Sequence, residues 1–269
     1  MEKNLTLKTI DGYNISAIHT ISKKERVLLW LHGITVNKNE YLDFFSDGVK
    51  YLYNRGFDSL RFDFRGHGKS RGTSLDFSIV GQMFDVSSAM EYLIGYYSKK
   101  TIKINVIGCS FGAPPAIFAA LNYKNYVNKI ILISPVLSYK DTFLEPKTEW
   151  AKSIFNNKTL SDLKKKKKIF IDDNFPISYR LVEEMRIIQP ELAIKNLTQN
   201  VILIHGDADS MVPYEVSRNI SKKHKNIKFI SINGMDHGFM DEDDEEGVGK
   251  KSLNNKLRIY RTIEKYCKR

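Results

Sequence analysis

Ser110 has the sequence surroundings of a nucleophile. It lies at the centre of a Gly-Cys-Ser-Phe-Gly segment, residues 108–112, between the apolar run 102–107, which predicts a buried strand, and the helix-forming run 113–121. A Gly-x-Ser-x-Gly segment in that context holds the serine on a tight, strained turn, because only glycine-sized neighbours let the strand and the helix approach each other. The hydroxyl is then exposed at the carboxyl edge of the sheet, where it could attack a substrate carbonyl.

A serine nucleophile needs a base, and the base needs an acid that orients it. Two aspartates, Asp207 and Asp209, follow the apolar run 201–204, and His237 follows the next apolar run, 227–232. The order serine, acid, histidine is the one expected after this kind of turn. Because the carboxyl ends of parallel strands share one edge of a sheet, we expect the three side chains to meet there.

The identity of the acid stays open at this point. Asp207 and Asp209 follow the same strand, and aspartates in such positions also shape turns by accepting hydrogen bonds from nearby backbone amides. Asp236 is adjacent to His237, and neighbouring side chains in a loop usually diverge, so Asp236 is the weaker candidate.

Acyl transfer also needs donors for the negative charge that develops on the carbonyl oxygen. In a site of this kind one donor is the backbone N–H of the residue after the nucleophile, here Phe111, and the other comes from the loop after the third strand. That strand is predicted over residues 27–31. Gly33 permits a turn after it, which would direct the N–H of Ile34 towards the serine.

Five segments, in the same order along most of the chain, resemble the α/β-hydrolases, in particular the cinnamoyl and feruloyl esterases, with the monoacylglycerol lipases as relatives. The segments are LHGITVNK (31–38), DFRGHGKS (63–70), GCSFG (108–112), HGDADSMVP (205–213) and DHGF (236–239). Five motifs in the right order are far more specific than any one of them.

The resemblance implies a role for each candidate residue. Ser110 would be the nucleophile, Asp209 the acid and His237 the base, and the backbone amides of Ile34 and Phe111 would form the oxyanion hole. Ile34 stands where feruloyl esterases usually carry an aromatic residue, which argues against aromatic acyl groups.

The resemblance also implies an α/β-hydrolase fold, a mostly parallel eight-stranded sheet with helices on both faces. Residues 1–269 would form a single domain, with a cap inserted at about residues 136–195. This insertion interrupts the alternation of strands and helices, is polar and carries several aromatic residues, and would lie above the serine.

The expected activity is that of a serine carboxylic-ester hydrolase, which needs no cofactor and acts on small to medium acyl or hydroxycinnamoyl esters. The alternatives are an acyl-coenzyme A thioesterase or acyltransferase, a proline-iminopeptidase-like peptidase and a non-catalytic hydrolase-like binding protein. A complete set of catalytic residue types argues against the last, because binding alone does not require it.

Other reactive residues have simpler interpretations. Cys109 is a rival nucleophile by chemistry, but its place one residue before the apex predicts a buried, structural side chain. His32, His67 and His205 lack the close spacing of zinc motifs, which predicts structural histidines bonded to the backbone and no metal site. The glycine-rich, basic segment 65–70 lacks the spacing of a phosphate-binding P-loop.

The composition of the chain indicates its general class, its partners and its location. Hydrophobic residues make up 42% and charged residues 27% of the chain, which is typical of a globular protein. The net charge is +11, from 42 Lys and Arg against 31 Asp and Glu, but the basic residues are scattered and predict no nucleic-acid partner. Two cysteines predict no disulfide framework, and the absence of a leader-like or membrane-spanning apolar run predicts a cytoplasmic protein.

The hydrophobic periodicity predicts the elements that must position these residues. Asp11-Gly12 between two alternating runs predicts a β-hairpin. Residues 40–54, with Leu42 on the apolar face, and residues 77–97 read as amphipathic helices, and residues 253–266 as a closing helix. Strands that alternate with helices predict a mostly parallel sheet covered on both faces.

Overall fold

The computed structural model describes residues 1–22, 24, 26–98, 101–172, 174–244 and 246–268. Several of its strands, such as those over residues 26–31 and 104–109, coincide with apolar and β-branched runs of the sequence, which favour a pleated, buried conformation. The strands are β1 (Glu2–Lys8), β2 (Asn14–Thr20), β3 (Arg26–Leu31), β4 (Phe57–Phe62), β5 (Ile104–Cys109), β6 (Val127–Ile133), β7 (Lys168–Phe170), β8 (Pro176–Ser178), β9 (Asn200–Gly206) and β10 (Ile227–Ile232).

The helices connect these strands. They are α1 (Phe44–Tyr53), α2 (Ile79–Tyr96), α3 (Ala113–Asn122), α4 (Glu149–Ile154), α5 (Asn157–Lys166), α6 (Tyr179–Ile187), α7 (Pro190–Ala193), α8 (Tyr214–Lys223) and α9 (Lys250–Cys267). Short helical turns cover Tyr41–Asp43, Ser74–Asp76, Ser110–Gly112, Lys140–Leu144 and Ile194–Asn196. Among the described residues, no helix is both long enough and apolar enough to cross a membrane.

Eight strands form the central sheet, in the order β1-β2-β4-β3-β5-β6-β9-β10, and β7 pairs with β8 in a separate hairpin. β2 runs antiparallel to β1 and β4, and the other neighbours in the central sheet are parallel. The predicted hairpin around Gly12, whose φ is 91°, is confirmed as the β1–β2 connection. The mostly parallel sheet is also confirmed, and it brings the carboxyl ends of β3, β5, β9 and β10 to one edge.

Helices cover both faces of the sheet. Along β3 the side chains alternate: Leu29 and Leu31 pack in the hydrophobic cluster that contains α2 and α3, and Leu28 and Trp30 pack in the cluster that contains α1 and α9. This alternation is expected of a strand that is buried on both faces.

The helix predicted over residues 40–54 begins later than predicted, at Phe44. Glu40, Leu42 and Asp43 have positive φ angles of 65°, 47° and 54°, which an α-helix does not contain. Leu42, predicted on the apolar face, is 41% exposed. The Glu40 carboxylate accepts hydrogen bonds from backbone amides, and such bonds compete with the start of a helix.

The connection between β6 and β9, residues 134–199, carries α4 to α7 and the β7–β8 hairpin. We call it the β6–β9 segment. The predicted cap, residues 136–195, lies within it, and residue 173 is outside the described residues. Whether this segment acts as a cap stays a prediction at this stage.

The β6–β9 segment contacts the rest of the molecule through polar bonds as well as apolar packing. The carboxylate of Glu184, on α6, accepts hydrogen bonds from the backbone N–H groups of Ile79 and Val80 at 2.6 and 3.2 Å. These amides belong to the first turn of α2, where an acidic side chain is favourable. The Thr148 hydroxyl donates to the carbonyl of Met211 at 3.2 Å.

Two glycines allow the close packing around Ser110. A Cβ on Gly108 would lie 2.6 Å from the carbonyl oxygen of Gly112, and a Cβ on Gly112 would overlap the carbonyl oxygen of Leu31 at the end of β3. Because both obstacles are backbone atoms, they cannot move aside by a side-chain rotation.

We therefore predict that Gly112→Ala lowers the free energy of unfolding by about 2–4 kcal/mol, since the added methyl group must displace β3. Gly95→Ala is the matched control, because a Cβ at Gly95, in α2, would meet nothing within 4 Å. It should leave stability unchanged or raise it by up to about 1 kcal/mol, owing to the better helix propensity of alanine. Urea denaturation followed by circular dichroism measures both, and equal midpoints for the two variants would contradict this account of the turn.

Candidate active site

Ser110 lies on the turn between β5 and α3, where the sequence placed it. Its φ angle is 48°, in the left-handed region that a residue with a Cβ adopts rarely and at a cost in free energy. The flanking glycines make this conformation possible. The turn leaves the serine at the wall of a cavity, 8% exposed.

His237 connects Ser110 to Asp209. Its Nε2 lies 3.0 Å from the Oγ of Ser110, and its Nδ1 lies 2.8 Å from the Oδ2 of Asp209. Because a carboxylate only accepts hydrogen bonds, Nδ1 must carry a proton, and in the neutral ring Nε2 is free to accept the proton of the serine hydroxyl. The three side chains, predicted to meet at the edge of the sheet, are thus in one hydrogen-bonded chain.

The carboxylate of Asp209 is fully buried and has four hydrogen-bond donors around it. Oδ1 accepts from the backbone N–H groups of Met211 and Val212 at 2.9 and 2.8 Å, and Oδ2 contacts the rings of His205 and His237. Burial by itself raises the pKa of Asp209, but the attraction of His237 and the hydrogen bonds from both histidines outweigh it and hold this pKa well below its usual range. The side chain is therefore ionised at neutral pH.

The contact between Asp209 and His237 also affects the protonation of the His237 ring. Burial lowers the pKa of His237, whereas attraction and hydrogen bonding to Asp209, with the added charge of Glu40 nearby, raise it. The raising effects are larger, so the pKa of His237 lies above its ordinary value of 6.5.

Of the three aspartates that the sequence offered, Asp209 makes the hydrogen bond to His237. Asp207 accepts a hydrogen bond from the backbone N–H of Gly234 at 2.7 Å, so it ties together the loops after β9 and β10. Asp236 accepts one from the backbone N–H of Met240 at 2.8 Å. Both of these carboxylates shape loops.

His205 has a different environment from the one predicted. The prediction that it bonds to the backbone is wrong: its Nε2 lies 3.0 Å from the Oδ2 of Asp209, and its Nδ1 lies 2.8 Å from the Oγ of Ser217 on α8. The backbone assignment does describe His67, whose Nδ1 lies 3.1 Å from the carbonyl of Arg65. The separation of four residues between His205 and Asp209, across a tight turn, is the feature of the sequence that could have predicted this contact.

Nowhere in the described ranges do three or more His, Cys, Asp or Glu side chains form a group that could hold a metal ion.

The loop after β3 brings Ile34 close to Ser110. The carbonyl of Gly33 lies 2.6 Å from the Nδ1 of His32, and the backbone N–H of Phe64 donates to the Nε2 of His32 at 2.9 Å. The His32 ring is therefore a neutral donor to Gly33, consistent with the burial that lowers the pKa of His32 well below its usual value. A Cβ on Gly33 would lie only 3.2 Å from the Cβ of Ser110, so this loop passes close to Ser110.

The two predicted oxyanion donors are available. The peptide unit that joins Gly33 to Ile34 is planar and trans, so its N–H points away from the carbonyl that His32 holds. Within the described part of the chain, the backbone N–H groups of Ile34 and Phe111 donate to no other group. Unpaired donors beside a buried serine are what a developing oxyanion requires.

Cys109 is buried, as predicted. Burial, and then the nearby negative charge of Glu40, raise the pKa of its thiol well above the usual value. A thiol in that state is a poor nucleophile, because the thiolate is the reactive form.

The cavity beside Ser110 has a volume of about 340 Å³, and its wall is mainly apolar. Its polar wall includes the side chains of Ser110, Glu40 and His237. The apolar side chains that line it include Val36, Val136, Phe143, Trp150, Ile171, Met211, Val212 and Phe239. Four of these (Val136, Phe143, Trp150 and Ile171) belong to the β6–β9 segment, which therefore closes one side of the cavity.

Comparison with known proteins agrees with this architecture. A family model described as serine aminopeptidase, S33, matches residues 22–244, which is most of the chain. The chain belongs to this family of α/β-hydrolases. No curated protein matches.

Solved structures of similar fold cover nearly the whole chain. Est1E of Butyrivibrio proteoclasticus with bound ferulic acid is 22% identical over 97% of each chain, with a TM-score of 0.76. A Pyrococcus furiosus esterase is 19% identical over 99% of this chain and 91% of its own, with a TM-score of 0.70. Mouse α/β hydrolase domain-containing protein 10 is 16% identical over 98% of each chain, with a TM-score of 0.73. The resemblance to α/β-hydrolases and the α/β-hydrolase fold are confirmed.

We predict that Asp209→Asn lowers the pKa of His237, because the attraction of Asp209 is lost while the burial that lowers this pKa remains, and the charges of Glu40 and Asp236 offset it only in part. Nitrogen-15 chemical shifts of the imidazole, recorded against pH, measure this pKa. Asp207→Asn is the matched control and should leave the titration of His237 unchanged. A pKa that is the same in wild type and Asp209→Asn would show that Asp209 does not control the base.

Proposed function

We propose that this protein is a serine hydrolase that cleaves carboxylic esters through an acyl-enzyme. The observation that carries the proposal is the hydrogen-bonded chain from Ser110, at the wall of the cavity, through His237 to the buried Asp209. A serine on a strained turn that contacts an imidazole oriented by a carboxylate is an activated nucleophile once that imidazole is neutral. Membership of a hydrolase family supports the same reaction class.

In the first half of the reaction, the Oγ of Ser110 attacks the ester carbonyl carbon while its proton passes to the Nε2 of His237. The carbonyl π electrons move onto the oxygen, and the N–H groups of Ile34 and Phe111 stabilise the resulting oxyanion. The C=O bond then re-forms as the bond to the alcohol oxygen breaks. The alcohol leaves with the proton from His237, and the acyl group stays on Ser110.

In the second half, a water molecule attacks the acyl-enzyme and gives a proton to His237. The tetrahedral intermediate collapses, the bond between the acyl carbon and the Oγ of Ser110 breaks, and His237 returns the proton to the serine. Asp209 stays ionised throughout, orients the ring and stabilises the imidazolium that forms twice in each cycle. These steps need no cofactor.

The substrate that we propose is an ester of a small to medium acyl group. A volume of about 340 Å³ is at the lower end of the range for small-molecule sites, and the wall offers apolar contacts on several sides. The fold is similar to that of Est1E, whose structure contains ferulic acid, so hydroxycinnamoyl esters belong in the test panel. Ile34, which lines the cavity, gives no aromatic ring for a hydroxycinnamoyl group to stack on.

We propose that residues 136–195 act as the cap of a single hydrolase domain. The support is that Phe143, Trp150 and Ile171 from this segment line the same cavity as Ser110. A cover of this kind excludes water from the site and shapes the acyl or alcohol pocket.

An aminopeptidase is the second candidate, because the family whose model matches is described by that activity. The same three residues would serve in attack on an amide carbonyl. The two activities therefore differ only in the substrate that is cleaved. Aminoacyl-naphthylamides tested beside oxygen esters distinguish the two, and acyl-coenzyme A thioesters in the same panel test a thioesterase.

We predict that Ser110→Ala lowers kcat/KM for p-nitrophenyl butyrate by about 10⁴-fold or more, because no other residue of the site replaces the serine oxygen. The variant should also lose covalent labelling by a fluorophosphonate probe, detected by intact-protein mass spectrometry. Ser221→Ala, on α8 and outside the cavity, is the matched control and should keep both properties. Unchanged turnover in Ser110→Ala would refute the proposal.

We further predict that kcat/KM falls as the pH decreases through a value above 6.5. The pKa of His237 is raised above 6.5, and below that pKa the ring is an imidazolium that cannot accept the proton of Ser110. Above the pKa the base is neutral and the rate should reach a plateau. The measurement is a pH profile of kcat/KM with a neutral ester, and full activity at pH 5 would be inconsistent with His237 as the base.

A further inference from the structure

Glu40 is a buried carboxylate beside the proposed nucleophile, and the reaction as described above does not use it. The residue is 8% exposed and lines the same cavity as Ser110. Neither composition nor spacing singled it out, because in the sequence it reads as the start of a helix. Burying a charged group is costly unless hydrogen bonds compensate, so the groups that stabilise the Glu40 carboxylate have to be identified.

Both oxygens of Glu40 accept backbone hydrogen bonds. Oε2 accepts from the N–H of Gly33 at 2.8 Å, and Oε1 accepts from the N–H of Tyr41 at 3.2 Å. Burial raises the pKa of Glu40, and the hydrogen bonds from Gly33 and Tyr41 oppose that rise, because they favour the ionised form.

The backbone of Glu40 is strained. Its φ and ψ are 65° and 175°, a region that is essentially restricted to glycine. A glycine here would remove the strain but also the carboxylate. Strain of this kind persists where the surrounding contacts hold it in place, which indicates that the side chain contributes something the fold needs.

The contact with Gly33 is the one that bears on the reaction. Gly33 immediately precedes Ile34, the proposed oxyanion donor. The N–H of Gly33 is held by Glu40 on one side, and its carbonyl is held by the ring of His32 on the other. The Gly33 carbonyl and the Ile34 N–H belong to the same planar peptide unit. Fixing both polar groups of Gly33 therefore also fixes the direction of the Ile34 N–H.

We propose that Glu40 is a positioning residue that holds the Gly33 amide and thereby keeps the Ile34 N–H directed at the oxyanion. This inference rests on the proposed function, since the oxyanion belongs to that reaction. Glu40 acts through Gly33 and makes no bond to the substrate. Its negative charge has a second, separable effect, because that charge contributes to the raised pKa of His237.

Two substitutions separate the hydrogen bond from the charge. Glu40→Gln keeps an amide oxygen that can accept from Gly33 and removes the charge, whereas Glu40→Ala removes both. In Glu40→Ala we expect kcat for p-nitrophenyl butyrate to fall about 10- to 100-fold with little change in KM, which is less than the 10²–10³ that follows complete removal of an oxyanion donor. Glu40→Gln should recover most of this loss.

The pH profile gives a readout that a merely structural role would not change. The charge of Glu40 raises the pKa of His237, so its removal lowers that pKa. In Glu40→Gln the acidic limb of kcat/KM should therefore shift to lower pH. Glu91, an exposed glutamate on α2, is the matched control. Its substitution by Ala or Gln should leave kcat and the profile unchanged.

Amide hydrogen exchange tests the contact without reference to activity. In Glu40→Ala the amide of Gly33 should exchange faster than in wild type, and in Glu40→Gln it should exchange at close to the wild-type rate, as measured by nuclear magnetic resonance. Unchanged exchange at Gly33 in Glu40→Ala overturns the inference, and so does an equal loss of kcat in both variants. If wild type neither hydrolyses esters nor reacts with the fluorophosphonate probe, the proposed function fails, and the exchange data still decide whether Glu40 holds Gly33.

Discussion

The ionised carboxylate of Asp209, buried and surrounded by four donors, is the interaction on which the arrangement of the site depends. Burial alone would favour the neutral acid, so the charge is maintained by the backbone amides of Met211 and Val212 and by the rings of His205 and His237. The charge in turn selects the tautomer of His237 that carries its proton on Nδ1, which leaves Nε2 free to accept a proton from Ser110. Without it, the contact with Asp209 would no longer favour the tautomer that carries its proton on Nδ1.

Burial favours the neutral form of every titratable group in the site, but the outcome differs between groups because their partners differ. Cys109 and His32 are as buried as Asp209, but they have no opposite charge to compensate, and both are held in their neutral forms. For Cys109 this means an unreactive thiol next to the proposed nucleophile. For His32 it means a fixed donor to the carbonyl of Gly33, in the loop after β3. One apolar environment thus produces different protonation states, according to which groups lie within hydrogen-bond distance.

The second constraint on the site is that backbone segments approach each other closely. Gly112 allows the turn after β5 to contact the end of β3, and Gly206 allows the end of β9 to contact the backbone of Met235 in the loop after β10, where a Cβ would overlap it. These contacts join the strand ends that carry Ser110, Asp209 and His237. The strained φ of Ser110 is tolerated because the packing on both sides of the turn leaves the backbone no alternative.

The sequence by itself determined which strands the candidate catalytic residues follow. A serine within a Gly-x-Ser-x-Gly pattern follows one strand, and an aspartate and a histidine follow two later strands. Such patterns are local, and a parallel sheet brings strand ends together, so Ser110 and His237 could be placed from the sequence alone. Tertiary structure decided that Asp209, and not Asp207, contacts His237, and that His205 and Glu40 join the site. The reason is physical: which way a loop side chain points, and which donors meet a buried carboxylate, depend on segments that are distant in sequence and adjacent only after folding.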